Sequence, residues 1–75
     1  MVNREDIAVE VLTPQGWYRG WITLPSGGRL IDFLNTKPPI IAITHAMDPS
    51  GVRRPFVAVN LEQVLAIRHR ELEEM

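Results

Sequence analysis

The chain contains no cysteine, which excludes a disulfide, a thiolate metal site and a thiol nucleophile. A domain of 75 residues buries only about 60% of the surface its unfolded chain exposes, so packing, aided by self-association, must supply its stability. The lack of cysteine also suits a reducing compartment. No run approaches the roughly 18 apolar residues that a bilayer span requires, and MVNREDIAVE is too acidic for a secretory signal. The expectation is a soluble cytoplasmic protein without a membrane role. Repeats and low-complexity segments are also missing.

Charge is nearly balanced in sum, at −1, but not in placement. Arg4 is outnumbered by Glu5, Asp6 and Glu10 at the start, and Glu71, Glu73 and Glu74 crowd the end. Between them lie seven basic residues against Asp32, Asp48 and Glu62. The plain expectation is solvated acidic ends and ordinary surface arginines; the sharper one is an anion-binding body with its ends as competitors.

Apolar and polar residues alternate with period two along most of the chain, the mark of strands with one buried face. After a polar lead-in over residues 1–6, a first strand spans Ile7 to Leu12, with Ile7, Val9 and Val11 on one face and Ala8, Glu10 and Leu12 on the other. Thr13-Pro14-Gln15-Gly16 carries proline and glycine where a type I turn wants them and should fold the chain into a hairpin. The second strand, Trp17 to Leu24, puts Tyr18, Gly20, Ile22 and Leu24 on one face and Trp17, Arg19, Trp21 and Thr23 on the other. Gly20, in mid-strand, marks a bend or bulge.

The alternation breaks at RLIDFLN, residues 29–35, where Leu30, Phe33 and Leu34 take helical spacing. One turn of helix cannot stand alone in water, so its apolar edge must be pinned by the sheet. It is expected to plug one end of a small barrel, with Asp32 or Asn35 satisfying backbone amides around it. An Arg29 to Asp32 pair on its outer face is the other option. Lys37-Pro38-Pro39 ends the helix.

A third strand, Ile40 to Met47, would place Ile41, Ile43, His45 and Met47 on one face and Ile40, Ala42, Thr44 and Ala46 on the other. Asp48-Pro49-Ser50-Gly51 signals a turn, and Val52-Arg53-Arg54-Pro55 reads as a basic, mobile loop. Phe56 to Asn60 is the fourth strand. Asn60-Leu61-Glu62-Gln63 has the form of a capping box, giving a one-turn link to a fifth strand, Val64 to Arg70, and then an acidic tail over residues 71–75.

Five short strands with one helical turn after the second and a one-turn link before the last describe a single mainly β domain. An SH3-like (Sm-like) barrel fits this order, with an OB-like barrel as the alternative. RLIDFLN after WITL, then IIAITHA and FVAVNLEQVLAI, resembles a family of small bacterial proteins of unknown function that carry an RL-x-DFLN stretch. The resemblance spans about residues 17 to 67 and implies a compact β-domain, without activity or binding residues to carry over. A looser resemblance to Sm-type barrels rests on strand order.

Catalysis is not expected. His45 and His69 lack HxH or HExxH spacing, which argues against a metal site, and Asp32 and Asp48 are the central carboxylates. Ser26 and Ser50 lack a GxSxG elbow, and Pro25-Ser26-Gly27-Gly28 is too short to cradle phosphates as a P-loop does. An anion near Ser26 to Arg29 is the remaining small-molecule option. No cofactor is expected.

The strongest functional feature is Trp17-Arg19-Trp21, two large aromatics about 7 Å apart on one face with a guanidinium between them. Such a face calls for cover. A second copy or another protein could supply it, as could the plug or the C-terminal tail of the same chain. The third option is a base-stacking platform for RNA or single-stranded nucleic acid, with Arg19, Arg29, Arg53, Arg54, Arg68 and Arg70 as phosphate contacts. The leading expectation is a non-catalytic assembly module that self-associates through an edge strand and the Trp17/Trp21 face.

Overall fold

The computed structural model describes residues 4–25 and 28–71. Its strands are β1 (Arg4–Thr13), β2 (Gly16–Pro25), β3 (Ile40–Met47), β4 (Arg53–Asn60) and β5 (Ala66–His69). The helix α1 (Leu30–Asn35) connects β2 to β3, and a 3-10 turn, Leu61–Gln63, connects β4 to β5. All pairings are antiparallel, and β5 returns to lie beside β1, giving the order β4-β3-β2-β1-β5. Among the described residues β4 and β5 form the two margins of one open sheet.

Alternation decides which face is buried. Val9 and Val11 of β1, Ile22 and Leu24 of β2, Ile41 and Ile43 of β3 and Val59 of β4 form a single core with Leu30 of α1. Phe33 and Leu34 pack against that core, so the apolar edge of α1 is pinned as its spacing requires. The helix ends where Thr36 and Lys37 donate their amides to Phe33 and Leu34 carbonyls, Lys37 taking a left-handed φ of 53° before the two prolines.

The β1–β2 hairpin is tied by Thr13, whose hydroxyl donates to the Gly16 carbonyl at 3.1 Å and accepts from the Gln15 amide at 3.2 Å. Gly16 has φ 126°, a conformation side chains rarely adopt. On the Asp48 turn, the Gly51 amide donates to the Asp48 carbonyl at 2.9 Å, while the Asp48 carboxylate accepts from Ser50 and Val52 amides. This is an Asx turn.

Gly20 marks the irregularity expected of it. Arg19 pairs with Met47 and Trp21 with Thr44, so two residues of β2 span one residue more on β3, which bulges. A Cβ on Gly20 would stand 2.8 Å from the Thr44 carbonyl oxygen, so only glycine lets the bulged strand come this close. His45, in the bulge, has φ 49°. The extra residue corrects the face assignment of β3. Ile41, Ile43 and Ala46 are buried, whereas His45 and Met47 line the face of Trp21.

Other boundaries also differ from the sequence reading. Residues 4–6 are strand rather than lead-in: they pair with Pro25, Leu24 and Thr23, and the Thr23 hydroxyl donates to Asp6 at 2.6 Å. Arg53, Arg54 and Pro55 belong to β4, not to a mobile loop, because Arg53 and Arg54 pair with Met47 and Ala46. Pro55 falls at the gap in the β3–β4 register, between the pairs Ala46↔Arg54 and Thr44↔Phe56, on a strand at the margin of the sheet. The capping box does not form. The link after Asn60 is held instead by the Leu61 amide on the Pro39 carbonyl at 2.9 Å, with no side-chain cap. The fifth strand is shorter than expected, at four residues. Residues 72–75 of the expected tail lie outside the described residues.

Candidate functional site

The tight hairpin after β1 fixes what faces what. With Thr13 opposite Gly16, Leu12 falls opposite Trp17, Glu10 opposite Arg19 and Ala8 opposite Trp21. On the other side of β1, Glu10 is opposite Arg68 and Leu12 opposite Ala66. Glu10 is thus the middle of a three-strand row on the face away from the core.

Glu10 is only 8% exposed, an unusual position for a carboxylate, and it is compensated twice. One oxygen lies 2.8 Å from Arg68 Nε and the other 2.9 Å from Arg19 Nε. The hydrogen bond from Arg68 holds the Glu10 carboxyl below its usual range, against the upward push of burial, with the charges of Arg68 and Arg19 adding to it. Because a guanidinium is flat and weakly hydrated, it can serve the carboxylate and an indole together. Arg68 does so, lying 4.2 Å from the centre of the Trp17 ring. Arg70 lies over Trp21 at 5.6 Å. The indoles are half-buried, and part of their cover comes from the C-terminal strand of the same chain.

Beside this row, Trp21, His45, Met47, Arg53, Arg54 and Arg70 line a cleft of about 540 Å³, together with Arg19 and Pro55. No carboxylate lines it among the described residues. Asp48 lies near its rim and holds Arg54 at 3.4 Å. The Asp48 carboxyl is itself held low, chiefly by the Ser50 hydroxyl and the Val52 amide.

Of the residues singled out in the sequence, Trp17, Arg19, Trp21, Arg53, Arg54, Arg68 and Arg70 converge on this side of the sheet. Arg29 does not. It immediately precedes α1, pairs with Asp32 at 3.0 Å, and borders a separate apolar groove of about 450 Å³ with Ile7, Leu30, Leu34 and Ile67. The expected role of Asp32 or Asn35 as an amide acceptor is therefore corrected. Asp32 accepts from the Arg29 guanidinium, Asn35 is exposed, and the helix start has no side-chain cap. Ser26 and Gly27 lie outside the described residues. His45 and His69 line different clefts, neither bordered by a carboxylate, and no group of three His, Asp or Glu able to hold a metal occurs among the described residues.

Glu10 is the residue that the sequence reading missed, since it was counted with a solvated acidic end. Its signal was present in the hairpin register, which places it opposite Arg19 and diagonal to both tryptophans. No helix among the described residues is long and apolar enough to cross a membrane. No protein-family model, curated protein or solved structure matches the chain.

Proposed function

We propose that this protein is a non-catalytic assembly module that associates with further copies of itself through a free edge of its sheet. The observation that carries this reading is the open sheet, whose outer strands β4 and β5 have, among the described residues, no further strand paired on their outer sides. Exposed apolar side chains flank both margins: Phe56 on β4 is 57% exposed, and Leu65, just before β5, is 65% exposed. Beside β5 runs the apolar groove of Ile7, Leu30, Leu34 and Ile67. A second copy would pair the edge and cover these groups together.

The Trp17/Arg19/Trp21 face contributes less to this assembly than the edges, because Arg68 and Arg70 already lie over its indoles. The fold reading belongs here too. A meander of four strands, with a fifth returned by one 3-10 turn to pair with the first, supports a small SH3-like (Sm-like) barrel over the Greek-key order of an OB barrel. Kinship with small bacterial proteins carrying an RL-x-DFLN stretch is part of the same proposal, with RLIDFLN supplying the helix that closes the core.

Light scattering coupled to size exclusion tests the reading. The expected mass is a multiple of 8.5 kDa, falling to a single chain when Phe56→Lys and Leu65→Lys place charges on the two margins. A single-chain mass for the unsubstituted protein at high concentration would refute it.

A further inference from the structure

The cleft beside Trp21 has two charges left over. Arg19 is committed to Glu10, and Arg54 is held by Asp48. Arg53 and Arg70 have no ion pair or side-chain hydrogen bond among the described residues. Arg70 Nε is buried and has no acceptor among the described residues, which is uncommon for a buried polar group. His45 turns into the same cleft from a left-handed backbone conformation, the kind of outlier that gathers at binding sites. The cleft is much larger than a lone oxyanion requires and falls within the size range of small-molecule sites. Its lining is mixed, guanidiniums together with the Trp21 indole and the Met47 thioether, and Arg70 lies over the indole at 5.6 Å.

From this we infer that the cleft binds a nucleotide, with its phosphate between Arg53 and Arg70 and its base against the part of the half-buried Trp21 indole that Arg70 leaves open. A phosphate offers three oxygens to two forked guanidiniums that approach from different strands, a geometry a two-oxygen carboxylate fills less completely. The flat apolar wall suits a ring, and stacking on an indole tolerates any base. A free nucleotide and a nucleotide within a single strand present the same chemistry. Its inner wall of Trp21, His45 and Met47 lies on β2 and β3, inside the sheet, while Arg53 stands on the marginal strand β4.

The experiment is calorimetric titration with AMP, with inorganic phosphate and with a short mixed-sequence single-stranded RNA at low salt. It is paired with fluorescence of the Trp17→Phe variant, in which Trp21 is the sole indole. AMP is expected to bind and to quench Trp21. Arg53→Gln and Arg70→Gln should each weaken binding about 10-fold, the loss of a charge-assisted contact. Arg29→Gln, just before α1, should leave binding unchanged. Arg53 begins the marginal strand β4 and Arg70 follows the marginal strand β5, and circular dichroism checks the folding of both variants. RNA that binds far more tightly than AMP, with a steep salt dependence, identifies a strand as the source; equal affinity identifies the free nucleotide. The inference is overturned if neither AMP nor RNA binds, if inorganic phosphate binds as tightly as AMP, or if the two cleft substitutions change nothing.

Discussion

The two faces of the sheet are made by the same strands and held by different physics. On one, Val9, Val11, Ile22, Leu24, Ile41 and Ile43 exclude water by shape and area alone. On the other, alternating residues of β1, β2 and β5 set Glu10 between two guanidiniums, with Trp17 and Trp21 on the flanks. The first kind of contact is non-directional and indifferent to proton concentration. The second depends on geometry, charge and salt. A chain this small, without disulfides, uses both surfaces of a single sheet.

That contrast is broken most forcefully from the core side. Ile43→Ala should cost about 2–5 kcal/mol, because Ile43 is fully buried and its neighbours cannot collapse into the space. Urea unfolding should show a lower midpoint by a similar amount at neutral and acidic pH. A loss that depends strongly on pH would mean that the faces are not independent.

Glu10→Gln should cost less, about 1–2 kcal/mol at neutral pH, since it keeps the shape but removes the charge that both arginines face. The Glu10 carboxyl is held low in the folded state, so its stabilisation is complete above the usual glutamate value of 4.5 and is lost as pH falls through the folded value. Thermal unfolding of the two proteins should therefore differ at neutral pH and converge in acid. If the gap persists in acid, the carboxylate charge is not what holds the row.

The smallest effect belongs to Asp32→Ala. Its pair with Arg29 joins two well-exposed side chains on the far end of the molecule, and such pairs contribute little. No measurable change in Tm is expected, and a clear drop would restore a structural role for Asp32 on the helix.

Much of the core face was legible because alternation and helical spacing are strong signals. The burial of Val9, Val11, Ile22 and Leu24 and the helix at Leu30–Asn35 follow from periodicity alone. Beyond Thr44 the third strand was not legible. A histidine in a left-handed conformation leaves no mark in composition, and the single extra residue reversed the expected phase of His45, Ala46 and Met47. Nor was the start of β4, where arginines and a proline read as loop, because marginal strands are free to break the alternation that identifies central ones. The candidate site was half visible. The tryptophans and arginines announce themselves, while the acid that organises them becomes visible only once strand register is worked out from the turn.

The kink that Gly20 permits has a further outcome for how this chain can change. Losing the amino acid at position 45 would leave plain alternation, with Ala46 still inward and Met47 outward, whereas ironing the ribbon flat at full length would send Ala46 outward and turn Met47 inward. That spot can therefore give up one residue without reversing a face, an allowance the regular ribbons lack.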